Sequence, residues 1–222
     1  MPRASRRLQE GYCYHILNRG NARATIFHDD ADYTAFLRRL AEATDRYAIR
    51  LLAFCLMPNH FHLVVQGDEI GSVSRAMHWI QTAYVSRYRT RYDSTGHIFQ
   101  GRFKCFPVQA DDHLLSVMRY VERNPVRARL VTDSSRWLWS SPAWRARRVP
   151  WISESPVPLG KNWLQYVDAP QTAAEIAMIH ESLRRGAPFG TTAWRVETAK
   201  RLNLSASLRP RGRPRLGGLT PG

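Results

Sequence analysis

Two histidines and one tyrosine carry most of the chemistry open to this chain. His60 and His62 stand two apart in Met57-Pro58-Asn59-His60-Phe61-His62-Leu63-Val64-Val65. That run is apolar and β-branched and follows a Pro-Asn turn, which predicts a short strand. Side chains alternate across a strand, so both imidazoles share one face, while Phe61, Leu63 and Val65 take the core side. Two adjacent imidazoles can chelate one divalent ion, histidine being the commonest protein metal ligand. The same spacing also occurs on half-exposed sheets that bind nothing, so the pair needs company. Tyr120 and Asn124 supply it: four residues apart, they share a helix face. Pro125 disfavours helix at Asn124 and is expected to end it there. A phenol, an amide oxygen and two imidazoles make a nucleophile, a third metal ligand and a metal-ligating pair. A cation so held would neutralise and orient a phosphodiester, whose oxygens otherwise repel an attacking group.

Tyr12, Tyr14, Tyr84, Tyr88 and Tyr92 compete for the nucleophile's place, but of these and Tyr120 only Tyr120 has an amide four residues on along a helix. A free phenol titrates near pH 10, so cations must favour the phenolate. They are plentiful. Lys and Arg number 33 against 18 acidic residues, a formal net charge of +15, and the pI is near 10.6. Such a balance suits a polyanion whose counterions are released on binding. Most of these cations are arginines, which grip phosphate in a planar fork. No run is long and apolar enough to span a bilayer, and the basic N-terminal residues lead into no secretory signal. A cytoplasmic, nucleoid-associated protein is expected. Cys13, Cys55 and Cys105 are odd in number, fit no zinc spacing and sit in apolar segments, so buried thiols are expected.

The elements that must position these groups can be read in order. Residues 11–17 read as the first strand, followed by a turn at Asn18-Arg19-Gly20-Asn21 in which Gly and Asn would supply unusual backbone angles. Asp29-Asp30 caps a helix on which Tyr33, Phe36, Leu37 and Leu40 recur at helical spacing. Residues 51–57 are almost wholly apolar and read as a central strand buried on both faces, joined to the His60 strand by a hairpin. A second helix spans 71–92, mixing Tyr84 and Tyr88 with Arg75, Arg87, Arg89 and Arg91, a composition able to stack bases and hold phosphates. A Gly-punctuated basic loop leads to a last strand at 105–108. Asp111-Asp112 caps a third helix that carries Tyr120. The order β-α-β-β-α-β-α predicts an α+β fold, a ferredoxin-like antiparallel sheet with helices packed on one face. Tyr120 would then approach the sheet face that bears the His pair. Beyond about residue 130, tryptophans and prolines accumulate. Helices at 171–185, stopped by Gly186, and at 192–202 predict a small helical C-terminal appendage, the second helix a candidate DNA reader. The expected organisation is 1–134, 135–208 and a basic tail at 209–222, in which Arg211 and Arg213 resemble a minor-groove arm.

Four pieces carry a family resemblance: Tyr14-His15-Ile16-Leu17-Asn18-Arg19-Gly20-Asn21, Met57 through His62, Phe99-Gln100-Gly101-Arg102-Phe103-Lys104, and Tyr120 through Ala128. Trp139-Ser140-Ser141 closes the set. Together, in this order, they resemble the REP-associated tyrosine transposases, a branch of the single-tyrosine HUH nucleases named for His-hydrophobic-His. The resemblance implies an HUH fold and a metal-dependent, sequence-specific single-strand endonuclease and transposase. Tyr120 would be catalytic through a 5′-phosphotyrosine link and a free 3′-hydroxyl, with His60, His62 and Asn124 holding Mg2+ or Mn2+. Magnesium prefers oxygen ligands, and manganese suits imidazoles better. Asn124 departs from the Gln found in some relatives and is shorter by a methylene. The implied partners are single-stranded DNA hairpins with a flanking tetranucleotide, bound by a monomer or homodimer. Asn18, Arg19, Asn21, Arg87, Gln100, Arg102, Lys104, Arg123 and Arg127, with the tail arginines, are the implied DNA contacts. The rival reading is a non-catalytic protein that recognises palindromic repeats. A replication initiator or relaxase would need a longer body, and a zinc hydrolase a third strong ligand.

Overall fold

The structure, a computed structural model, describes residues 8–209. Strands β1 (Cys13–Arg19), β2 (Ile49–Met57), β3 (His60–Gly67) and β4 (Lys104–Val108) form one sheet in the order β2-β3-β1-β4. Every neighbouring pair is antiparallel. Helix α1 (Asp30–Arg46) joins β1 to β2, and α2 (Ser72–Tyr92) joins β3 to β4. This is the expected ferredoxin-like arrangement. Asp29 caps α1 by accepting from the amides of Ala31 and Asp32, and Asp111 caps α3 (Asp112–Glu122) by accepting from that of His113.

The sheet divides two cores. Tyr14, Ile16, Phe61, Leu63 and Val65 are buried under α1 and α2. Cys13, Cys55, Val64 and Phe106 pack on the opposite face with Val117, Tyr120 and Val121 of α3. The three cysteines are buried, as expected. The second face is covered further by the C-terminal helices α6 (Trp163–Asp168) and α7 (Ala173–Arg185).

β2 is not the central strand its apolar run suggests but a sheet edge. It reads as central because helices cover both its faces and because its rim is capped as well. The Leu56 amide donates to the Trp139 carbonyl at 2.8 Å, and Cys55 bridges Ser140. A bulge near Leu52 sends Leu52 and Ala53 to the same core. The backbone it disturbs is satisfied by Ser141 Oγ, which accepts from the Phe54 amide, and by Arg145, which donates to the Leu52 carbonyl. β4 is capped in turn, with the Phe189 amide donating to the Pro107 carbonyl at 2.9 Å.

Contacts thus run across the boundary expected after residue 134. Their hub is Glu122, fully buried at the end of α3. Its carboxylate accepts from Ser141 and Arg145 of α5 (Ser141–Arg145) at 2.6 and 2.8 Å, and from Trp163 Nε1 at 2.7 Å. α7 carries a Thr172–Glu175 capping box and ends at Gly186, whose φ of 66° is left-handed. α8 (Thr192–Arg201) and the short α9 (Ser205–Leu208) follow. No helix among the described residues is long and apolar enough to cross a membrane.

Candidate active site

β3 presents His60 and His62 on the α3 side because its alternate residues are claimed by the α1/α2 core. The Pro58-Asn59 turn that starts it is clamped by the loop after β1. The Ile26 and Phe27 amides both donate to the Pro58 carbonyl, and the Gly20 amide donates to that of Asn59 at 2.8 Å. Gly20 itself has an ordinary φ of −56°. Glycine is needed there for close approach instead, since a Cβ would stand 2.1 Å from the Ala24 oxygen. The unusual angles expected of this turn fall on Ala22 and Arg23, with φ of 50° and 65°.

Each metal-competent imidazole is held by its Nδ1. His60 Nδ1 meets Asn59 Oδ1 at 2.6 Å, and His62 Nδ1 meets His15 Nε2 at 2.9 Å. Neither Nε2 has a hydrogen-bond partner among the described residues. Ligating histidines are commonly oriented in this way by a bond to the other ring nitrogen. Burial depresses all three imidazoles, His15 to about 3, His60 to about 4 with help from Arg19 and Arg127, and His62 well below the usual value. They are therefore neutral, with lone pairs free, at physiological pH. The unfolded chain would protonate them near 6.5, so between that pH and about 4 it binds more protons than the fold. Stability of the metal-free protein should therefore be full above pH 7 and fall as pH drops through this window. The expected loss by pH 5 is on the order of 1–2 kcal/mol per imidazole, read as urea midpoints. A midpoint equal at pH 7.5 and 5 would contradict the buried, neutral state.

Tyr120 lies near the end of α3, 3% exposed. Its ring stands edge-on to His62 at 5.6 Å and to His15 at 6.0 Å between centroids. The Arg127 guanidinium sits 4.3 Å over the ring, and the hydroxyl meets His180 Nε2 at 3.1 Å. Burial raises the Tyr120 pKa, and Arg127 and Arg19 oppose that rise. α3 ends before Pro125, and Arg123 turns the chain into the short α4 (Asn124–Arg127). Proline has no amide hydrogen for the Val121 carbonyl; Asn124 Nδ2 donates there at 3.2 Å and to the Tyr120 carbonyl at 3.0 Å. Asn124 Oδ1 accepts from Arg127 at 2.6 Å.

These groups share a cleft of about 390 Å³ with Arg19, Lys104 and Arg184. Arg19 Nε and Arg127 Nη1 are buried without hydrogen-bond partners among the described residues, a state that suits an anionic oxygen. A second groove, of about 600 Å³, continues from the cleft past Gln100, Gly101 and Arg102 to Arg185. Among the described residues no cluster of three or more His, Cys, Asp or Glu side chains could hold a metal. The donor set is therefore two imidazoles and an amide. It fits a divalent ion: both Nε2 atoms are without partners among the described residues, and Asn124 Oδ1 keeps a second lone pair beside its bond to Arg127.

His60, His62, Tyr120, Asn124, Arg19, Lys104 and Arg127 thus meet in one cleft, with Gln100 and Arg102 in the adjoining groove. Other expected DNA contacts are employed elsewhere. Asn18 is buried, its amide donating to Gln81 and Gly101 and accepting from Arg19. It shapes the groove loop rather than offering a free side chain. Arg87 belongs to the opposite face, where it contacts Asp32 and the Ala31 carbonyl. Arg123 donates to the Asp168 carbonyl and ties α3 to α6. Asn21 is exposed, and its side chain accepts from the Ala22 amide. Arg211 and Arg213 lie outside the described residues. The rival tyrosines are also spent away from the cleft: Tyr14 on Gln9, Tyr84 on Ile26, Tyr88 on His28 and Tyr92 on Asp32. Tyr12 packs against Trp194.

A family model for IS200-like transposases matches residues 9–124, which hold β1 through Asn124 and with them His60, His62 and Tyr120. The chain belongs to the IS200-like transposase family. Its fold is shared with a REP-associated tyrosine transposase solved bound to a REP hairpin. That likeness has a TM-score of 0.53 at 17% identity and covers 78% of this chain and 93% of that one. A looser likeness is to a protein described as a transposase from Deinococcus radiodurans R1, with a TM-score of 0.38 at 13% identity, covering 59% and 92%. No curated protein sequence matches the chain significantly. The family places the protein among DNA-processing enzymes. The sequence pattern did not mark His15, His180 or Arg184 as site residues. Strand alternation carries a signal for His15, since it shares a face with Leu17, which pairs with His62. The other two lie outside the matched span.

Proposed function

We propose that this transposase cuts and rejoins single-stranded DNA at REP-like hairpins, with Tyr120 as the attacking group. The observation that carries this reading is the meeting of Tyr120 with His62, ring centroids 5.6 Å apart, in one cation-lined cleft. The fold shared with a hairpin-bound transposase and the groove leading off past Gln100, Arg102 and Lys104 support a strand laid across the site. A flanking tetranucleotide would be read along that groove, in the cytoplasm where the nucleoid lies. One chain supplies every group, so a monomer is sufficient.

His60 and His62, with Asn124 as third donor, would hold a magnesium or manganese ion. Such an ion neutralises phosphate oxygens and orients the bond to be cut. Arg19 and Arg127 offer unpartnered N–H groups to the same phosphate. The Tyr120 oxygen forms a bond to phosphorus as the 3′-oxygen departs, and the phosphotyrosine keeps the bond energy for rejoining. His60→Ala should weaken Mn2+ binding by about 100-fold or more in calorimetry; unchanged affinity would remove His60 from the ligand set.

The deciding experiment incubates the protein with a labelled pool of single-stranded hairpins carrying a randomised four-base flank, with Mg2+ or Mn2+. A denaturing gel should show a covalent protein–DNA band. Retarded DNA with no such band under either metal would favour a palindrome-binding protein without catalysis. The existing bond of Asn124 Oδ1 to Arg127 is what that second reading would lean on.

A further inference from the structure

The C-terminal appendage reaches into the cleft with a residue that the family span does not contain. His180 lies on α7, sixty residues beyond Tyr120 in sequence, yet its Nε2 is 3.1 Å from the Tyr120 hydroxyl. The rings meet edge-on at 5.7 Å. Arg184, one turn further along the same helix, lines the cleft too. We propose that His180 is the proton acceptor for Tyr120, so that α7 completes the catalytic machinery rather than merely adding DNA-binding surface. This rests on the cleavage chemistry proposed above.

Geometry comes first. A general base must stand within about 2.6–3.2 Å of the group it deprotonates, and His180 Nε2 stands 3.1 Å from that hydroxyl, whereas Arg127, which also bonds it, is a donor only. The need for a base is also visible. Tyr120 is buried, and burial disfavours its phenolate. The groups facing His180 are Arg19 from β1, His60 and His62 from β3, Lys104 from β4, Tyr120 from α3 and Arg127 from α4, with Arg184 and Glu181 on its own helix. The cations among them have no lone pair to accept a proton, and the His60 and His62 rings make no bond to the hydroxyl. Burial and Arg127 lower the His180 pKa, so its imidazole is neutral and ready to accept at pH 7. His180 also remains largely exposed, which leaves the proton a route to water.

The step balances. The Tyr120 O–H donates its proton to His180 Nε2 while the oxygen bonds to phosphorus, and the bond from phosphorus to the 3′-oxygen breaks. The departing 3′-oxygen takes a proton from water. On rejoining, a 3′-hydroxyl attacks the phosphotyrosine and gives its proton to water as the bond from phosphorus to the tyrosine oxygen breaks, and the released phenolate takes a proton back from water by way of His180.

The test is the initial rate of covalent-band formation on the same hairpin pool, from pH 6 to 9.5, for wild type, His180→Ala and His180→Gln. Because His180 is exposed, both variants keep the fold. The wild-type rate should be level above pH 7. His180→Ala should be about 100-fold slower at pH 7, then recover roughly tenfold per pH unit as free phenolate forms, and added imidazole should restore part of it. His180→Gln keeps a hydrogen bond but cannot hold the proton, so it should follow alanine. Variant profiles parallel to wild type, or a deficit constant with pH and indifferent to imidazole, would overturn the inference while leaving the cleavage reading intact. No covalent band from wild type at any pH would overturn both.

Discussion

Tyr120→Phe will still bind DNA hairpins but will form no covalent adduct, a loss on the order of 10⁴–10⁶ in cleavage rate. The size follows from removing the nucleophile itself rather than a group that assists it. The fold should hardly notice. The phenylalanine ring keeps its packing among the second core and under Arg127, and the hydroxyl's hydrogen bonds, to His180 and Arg127, contribute about 1 kcal/mol each. Binding by gel shift should stay within about twofold, because the groove cations are untouched. Adduct formation at the wild-type rate would transfer the role to another residue, and the positions of Tyr14, Tyr84, Tyr88 and Tyr92 on the far side of the sheet leave no ready substitute.

Glu122→Ala carries the largest expected cost to the fold. Glu122 is wholly buried and its two oxygens serve three partners on two other helices. Removing it leaves the Arg145 guanidinium uncompensated beside the Leu52 carbonyl, and breaking one side of a buried pair typically costs about 3–5 kcal/mol. Urea unfolding should show that loss, and amide exchange should quicken at α5 and α6 before α1. Tyr120 is two residues away on the same helix, so cleavage should fall as well. A Glu122→Ala midpoint that costs less than about 1 kcal/mol would show that the hub is not what binds the appendage to the transposase fold. Glu122→Gln, which preserves shape but not charge, should fall between the two.

Much of this was legible before any coordinates. Alternation in β3 put the two imidazoles opposite the core, and the four-residue spacing put Tyr120 with Asn124, because both periodicities are local. What escaped were consequences of tertiary placement. β2 read as central because an apolar run reports burial, and burial does not distinguish a strand flanked by strands from an edge capped by residues 139–141. Asn18 and Arg123 read as DNA contacts because polar residues in a basic loop or helix end look available until a carbonyl is found to claim them. Asn124 was read through its chemistry, whereas its position before a proline gave it a backbone to satisfy. His180 had no local signal at all, since nothing in a lone histidine on an amphipathic helix says which cleft the helix will border.

The two capped rims of the sheet have a bearing on how copies of this protein can associate. With residues 139–141 lying along β2 and Phe189 along β4, part of the ladder of amides and carbonyls on each outer strand is already taken. Two protomers fusing their sheets through either rim would first have to displace these caps. The same caps set the smallest piece that can stand alone. A chain cut after Asn124, where the family's shared span stops, would bare both ladders at once and invite strand-to-strand aggregation.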